Sequence, residues 1–153
     1  MDVSTEKSVV GTKVLRRSAM VAVAAVMALV LSACLNGDQS AALKALNADR
    51  TANGVPTLVT NQQAQAKAQA WANKLAKENN LYHSTLSSGI SSCWTSLGEN
   101  VAYGGSIQAV QNQFMTSSRH KANAISRTWN GVGIGVAKNG NRVFVVQVFI
   151  KSC

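Results

Sequence analysis

The sequence predicts an α+β domain in which helices cover both faces of a short antiparallel sheet, and three observations carry that prediction. Ala64, Ala68, Trp71, Ala72, Leu75 and Ala76 recur at helical spacing and make a narrow apolar face. Val143 to Ile150 is apolar on both sides apart from Gln147, as a strand covered on each face must be. Asn139-Gly140, between that run and the alternating Val132, Ile134 and Val136, is a strong hairpin signal.

The elements follow in chain order. Ser40 to Asn53 reads as a helix with Leu43, Leu46 and Arg50 on one stripe, stopped by Asn53-Gly54 with Pro56 just beyond. Asn61 to Asn79 is the alanine-faced helix, whose small side chains allow another layer to approach closely. Trp71 supplies its bulk and reads as core rather than ligand contact. Leu81 to Gly105 is irregular and rich in Ser and Gly, with a short strand expected at Glu99 to Tyr103. Ser106 can cap a helix striped by Ile107, Val110 and Phe114, and Ser117 or Ser118 a shorter one containing His120. Gly133 and Gly135 imply a neighbour packed hard against their strand. No helix follows Gly131-Val132-Gly133, so these glycines are not a dinucleotide fingerprint.

The N-terminus reads as a targeting segment. Ala19 to Ala33 is an uncharged, mostly apolar run behind Arg16 and Arg17, shorter than the about 20 residues a membrane-spanning helix needs and suited to a signal peptide. It ends in Leu31-Ser32-Ala33-Cys34, which resembles the bacterial lipobox, whose cysteine is acylated and becomes the mature N-terminus. The expected organisation is a lipoprotein signal peptide over 1–33, a short tether over 34–39 and one domain over 40–153. The product is an exported protein, lipid-anchored through Cys34 and facing outside the cytoplasm. Export removes nucleic acid from the partners. With Cys34 lipidated, Cys93 and Cys153 remain to pair in an oxidising compartment.

Formal charge is +9 over the chain, and beyond residue 33 eleven basic residues face four acidic ones. Such a surface is drawn to anionic headgroups or acidic wall polymers. The two histidines, His83 and His120, stand beside irregular segments, with Glu99, the last acidic residue, between them. Two imidazoles and a carboxylate suit a divalent metal or acid/base work.

Several motifs then follow in a characteristic order: Asn47-x-x-Arg50, Gly54-Val55-Pro56, His83-Ser84, Gly98-Glu99-Asn100, Ser117-x-x-His120-x-x-Asn123, and Gly131-Val132-Gly133 through Gln147-Val148-Phe149. From about residue 40 onward the chain resembles bacterial members of the CAP superfamily, which includes cysteine-rich secretory proteins, antigen 5 and pathogenesis-related proteins. The resemblance implies a three-layer α-β-α sandwich and a cleft lined by His83, Glu99 and His120, where some members hold a divalent ion. It also implies a second acid that this chain lacks, Gln111 or Gln113 being the nearest polar substitute, and Phe114 stands where Trp is common. No cofactor is required on this reading. A metal at His83 and His120 would be held weakly, zinc suiting imidazole best.

The expected function is a non-catalytic, envelope-anchored binding module whose cleft engages a lipid, a wall component or a protein. One alternative is a metal-assisted or Ser/His hydrolase, with Ser84 or Ser117 near the cleft and Glu99 orienting a histidine. Another is a structural envelope protein.

Overall fold

A computed structural model describes residues 34–153. The signal segment over 1–33 lies outside the described residues. Helix α1 spans Gly37–Ala52 and α2 Gln62–Glu78, followed by strand β1 over Trp94–Gly104. Helices α3 and α4 occupy Ile107–Thr116 and Ser118–Ala124, and strands β2 and β3 occupy Gly131–Asn139 and Arg142–Ser152. Among the described residues no helix is long and apolar enough to cross a membrane.

The three strands form one antiparallel sheet in the order β1-β3-β2, so the strand apolar on both faces is the central one. Its alternate residues feed two cores. Val143, Val145 and Phe149 pack with Leu46 of α1, Val110 and Phe114 of α3 and Ala124 of α4. Phe144, Val146, Val148 and Ile150 pack with Ala64, Ala68, Ala72 and Leu75 of α2. The result is the expected α-β-α sandwich, with α2 alone on one side.

The alanine face of α2 and the glycines of β2 explain each other. A Cβ on Gly133 would lie 2.0 Å from the carbonyl carbon of Ala64, and one on Gly135 would lie 2.0 Å from the Ala68 oxygen. This contact lets α2 seal the free edge of β2. The Gln65 side chain accepts from the Ile134 N–H at 2.8 Å and donates to its carbonyl at 2.6 Å. One turn on, Gln69 makes the same pair with Val136, at 3.1 and 2.9 Å. Val132 is bonded by the Val59 carbonyl and the Asn61 N–H. Two amide side chains and a short backbone bridge thus act as a fourth strand and satisfy donors and acceptors that an edge leaves open. Gly133→Ala is therefore expected to destabilise the domain by about 3 kcal/mol in urea unfolding, because the layers must part. Gly105→Ala, with nothing within 4 Å, should stay within about 0.5 kcal/mol.

Four details differ from the sequence reading. Helix α1 starts at Gly37, inside the expected tether, because Asn36 caps it reciprocally with Gln39. Strand β1 begins five residues earlier than expected, pairing Leu97 with Ile150 and Gly98 with Phe149. The two-residue turn is Gly140-Asn141 rather than Asn139-Gly140, since Asn139 still pairs with Arg142 and only Gly140 takes a positive φ, of 54°. Trp71 is half-buried at the rim of α2, its indole N–H donating to the Tyr82 carbonyl at 3.0 Å.

Cys93 and Cys153 form a disulfide that joins the start of β1 to the end of β3. Cys34 is exposed.

Candidate functional site

Glu99 lies mid-way along β1, with its side chain 1% exposed, while the His83 side chain in front of it is 61% exposed. The carboxyl group collects three donors. His83 Nδ1 stands 2.7 Å from Oε1, the Ser84 N–H donates to Oε1 at 2.9 Å, and Ser84 Oγ donates to Oε2 at 2.6 Å. With Nδ1–H directed at Glu99, the exposed Nε2 of His83 is left as an acceptor. Glu99 therefore orients the imidazole and does not itself face solvent.

His120 is carried on α4, packed edge-on against Phe114 with ring centroids 5.2 Å apart. Burial lowers its pKa below the ordinary 6.5, and the nearby positive form of His83 lowers it further. The structure therefore brings His83 and Glu99 into contact and sets His120 within electrostatic reach. Because the folded form disfavours the proton that the unfolded chain accepts, the contribution of His120 to stability is complete above pH 6.5 and is lost as pH falls below it. Its NMR titration midpoint is expected below 6.5; a midpoint at or above that value would contradict this surrounding.

The asparagines of the two motifs hold the site together. Asn100 Nδ2 donates to the His120 carbonyl at 3.0 Å, and Asn123 Nδ2 donates to Asn100 Oδ1 at 3.0 Å, which fastens α4 to β1. Asn123 lies one helical turn beyond His120, which brings its side chain to Asn100 and to the Glu99 carbonyl. Gly98 completes the motif: a Cβ there would come 2.9 Å from the Trp129 ring, which stacks on Phe149. Sequence reasoning left these residues without a role, although the i, i+3 spacing was the available signal.

Gln111 does not reach the cleft as a substitute acid. It is buried and bridges inward, donating to Asp49 at 2.7 Å and accepting from Gln147 at 2.9 Å. Among the described residues no three His, Cys, Asp or Glu side chains gather closely enough to hold a metal ion. Glu99 stands behind His83 as the carboxylate partner of a histidine rather than as a third donor. Two imidazoles fall short of the three protein ligands usual for a catalytic zinc.

A recess of about 770 Å³ runs along the outer side of α1 between Leu35 and Thr57, and none of the three site residues lines it. A second, of about 590 Å³, lies between α2 and residues 84–89 and includes Ser84, the partner of Glu99.

The model of the cysteine-rich secretory protein (CAP) family matches residues 43–149. An extracellular SCP-domain protein from Bacillus anthracis is similar at a TM-score of 0.66 and 24% identity over 76% of this chain, which spans 41% of that protein. An outer surface protein from Borrelia burgdorferi is similar at a TM-score of 0.66 and 19% identity, over 76% of this chain and 93% of that one. A cysteine-rich secretory protein from Staphylococcus aureus aligns at 0.63 and 14% identity, over 75% of this chain and 39% of its own. No curated protein sequence matches the chain significantly.

Proposed function

Since the chain belongs to the cysteine-rich secretory protein (CAP) family, we propose that it is a non-catalytic binding module of the cell envelope, its cleft at His83, Glu99 and His120 engaging a lipid, a wall component or a protein. In this reading the protein is exported and held to the membrane through a lipidated Cys34. The Cys93–Cys153 disulfide supports export, because such bonds persist in oxidising compartments. Exposure of Cys34 two residues before the cap of α1 suits an anchor that keeps the domain near the surface.

The observation that carries the reading is how Ser84 and Glu99 spend their hydrogen bonds. A serine nucleophile needs its hydroxyl directed at a base. In a Ser/His pair that base is the imidazole, but Ser84 Oγ donates to the Glu99 carboxyl group, while the largely exposed His83 ring faces solvent. Such a cleft is built to hold a partner. An exposed imidazole oriented by a buried carboxyl group also argues against a purely structural role, which would give the ring no reason to face water.

Crosslinking on intact cells tests the proposal. A specific envelope component should be recovered with the wild type and lost with His83→Ala and His120→Ala. Peptide or ester turnover abolished in those variants would replace binding with catalysis, and recovery unaffected by either would remove the cleft from the reading. Zinc, if bound, is expected to bind weakly by calorimetry and to depend on His83; tight binding, or binding indifferent to His83→Ala, counts against the two-imidazole site.

A further inference from the structure

Residues 34–153 hold four acidic side chains, and each is already engaged. Asp38 pairs with Lys138 at 2.8 Å, Asp49 accepts from Gln111, Glu78 accepts from the Tyr82 hydroxyl, and Glu99 serves His83 and Ser84. The cations beside the second recess are consequently held by neutral partners. Lys67 Nζ donates to the carbonyls of Thr85 at 2.8 Å and Ser88 at 2.9 Å. An ammonium has three donors, so one remains. Lys74, two turns along the same face of α2, lies 4.9 Å above the centre of the Trp71 ring and 5.8 Å from that of Tyr82. Carbonyl oxygens and aromatic faces fix these ammoniums with no carboxylate of the described residues in contact, and Glu99, already bonded to His83 and Ser84, acts on Lys67 only through its field.

Beside the lysines α2 presents the small Ala66 and Ala70 together with Trp71, and the recess keeps a volume of about 590 Å³, within the range of small-ligand sites. Its opposite wall carries Ser84, Thr85 and Ser88. We propose that this recess is an anion site that takes the phosphate of a polyol phosphate, with Lys67 and Lys74 as its two cations. Two separate point charges suit the several oxygens of a phosphate, and hydroxyl side chains can both donate to and accept from a polyol. The inference rests on the envelope-binding reading and gives its ligand a chemical class. Because Ser84 also bonds to Glu99, the recess and the histidine cleft share a wall.

The test titrates glycerol 3-phosphate into the purified full-length protein at low salt, followed by calorimetry. Lys67→Gln and Lys74→Gln should each weaken binding about tenfold, the loss of one charged hydrogen bond. Lys44→Gln and Lys151→Gln remove the same charge elsewhere and should change it less than about twofold. Equal losses in all four variants, or no binding of glycerol 3-phosphate, overturn the site. Lys67 also steadies the 85–88 turn through the Thr85 and Ser88 carbonyls, so Lys74→Gln, which removes no such main-chain tie, carries the test if Lys67→Gln unfolds. A second arm uses phosphatidylcholine vesicles with and without phosphatidylglycerol. Sedimentation that needs both lysines assigns the phosphate to a lipid headgroup. Binding of the soluble phosphate alone assigns it to a free polymer, and vesicle binding indifferent to both lysines overturns the recess. Envelope crosslinks that survive in Lys67→Gln and Lys74→Gln would leave the binding module standing while removing this site from it.

Discussion

Replacing Arg50 by alanine is expected to cost about 5 kcal/mol, enough to bring a domain of this size to the edge of folding. Arg50 is 1% exposed and, among the described residues, has no carboxylate partner. Its Nε donates to the Pro56 carbonyl at 2.7 Å and its Nη1 to those of Ala124 and Ser126 at 2.6 and 3.0 Å. One side chain thus ties the end of α1 to the loop that follows it and to the end of α4. Burial and the neighbouring charge of Arg127 lower its pKa. The guanidinium nonetheless stays charged at any ordinary pH, and removing it strands three main-chain acceptors around a cavity. No apolar isostere can rescue the variant, since carbonyls cannot be mutated away. Arg50→Lys should recover only part of the loss, because a single ammonium cannot reproduce the fork. Urea unfolding measures both, and a midpoint shift worth less than about 1 kcal/mol in Arg50→Ala would show that water replaces the guanidinium freely. A loosened α4 should also disturb His120, linking this distant residue to the cleft.

The second large effect is expected at the disulfide. Cys93 and Cys153 are 60 residues apart, and closing such a loop stabilises a chain by about 4 kcal/mol in the entropy model. Intact-mass analysis after alkylation without reduction should find both residues unmodified. The Cys93→Ser, Cys153→Ser double variant should lose most of that stability, with hydrogen exchange rising first in β1, an edge strand that begins directly beside Cys93. Uniform loss across the sheet would mean that the bond acts on the unfolded chain alone and does not fasten this edge.

Much of the fold was legible because its signals are local. The alanine stripe of α2, the glycine alternation of β2 and the double-sided apolarity of β3 each fix an element, and together they imply the sandwich. The start of β1 was hidden, since Trp94-Thr95-Ser96-Leu97 has no clean alternation and becomes a strand only by pairing with residues over 50 positions away. The turn was misplaced by one residue for a related reason. A strand apolar on both faces tolerates either register in its own pattern, so the choice falls to packing of Gly133 and Gly135 under α2. At the site, the chemistry of His83 and Glu99 could be read from residue types and motif. The direction of the Glu99 carboxyl group, inward onto Ser84, could not, because it depends on which face of β1 the 83–84 segment covers.

The position of β3 in the chain has a kinetic corollary. Both cores close on this strand, and it follows every other described element in sequence. A polypeptide emerging N-terminus first can form α1 and α2 only as isolated helices, which are marginal in water at their lengths of 16 and 17 residues. Neither β1 nor β2 has its sheet partner until residues 142–152 appear. Folding should therefore be late and abrupt, waiting on long-range pairing rather than growing with the chain. Such a chain holds back its structure until its last strand is available, and then closes both cores together.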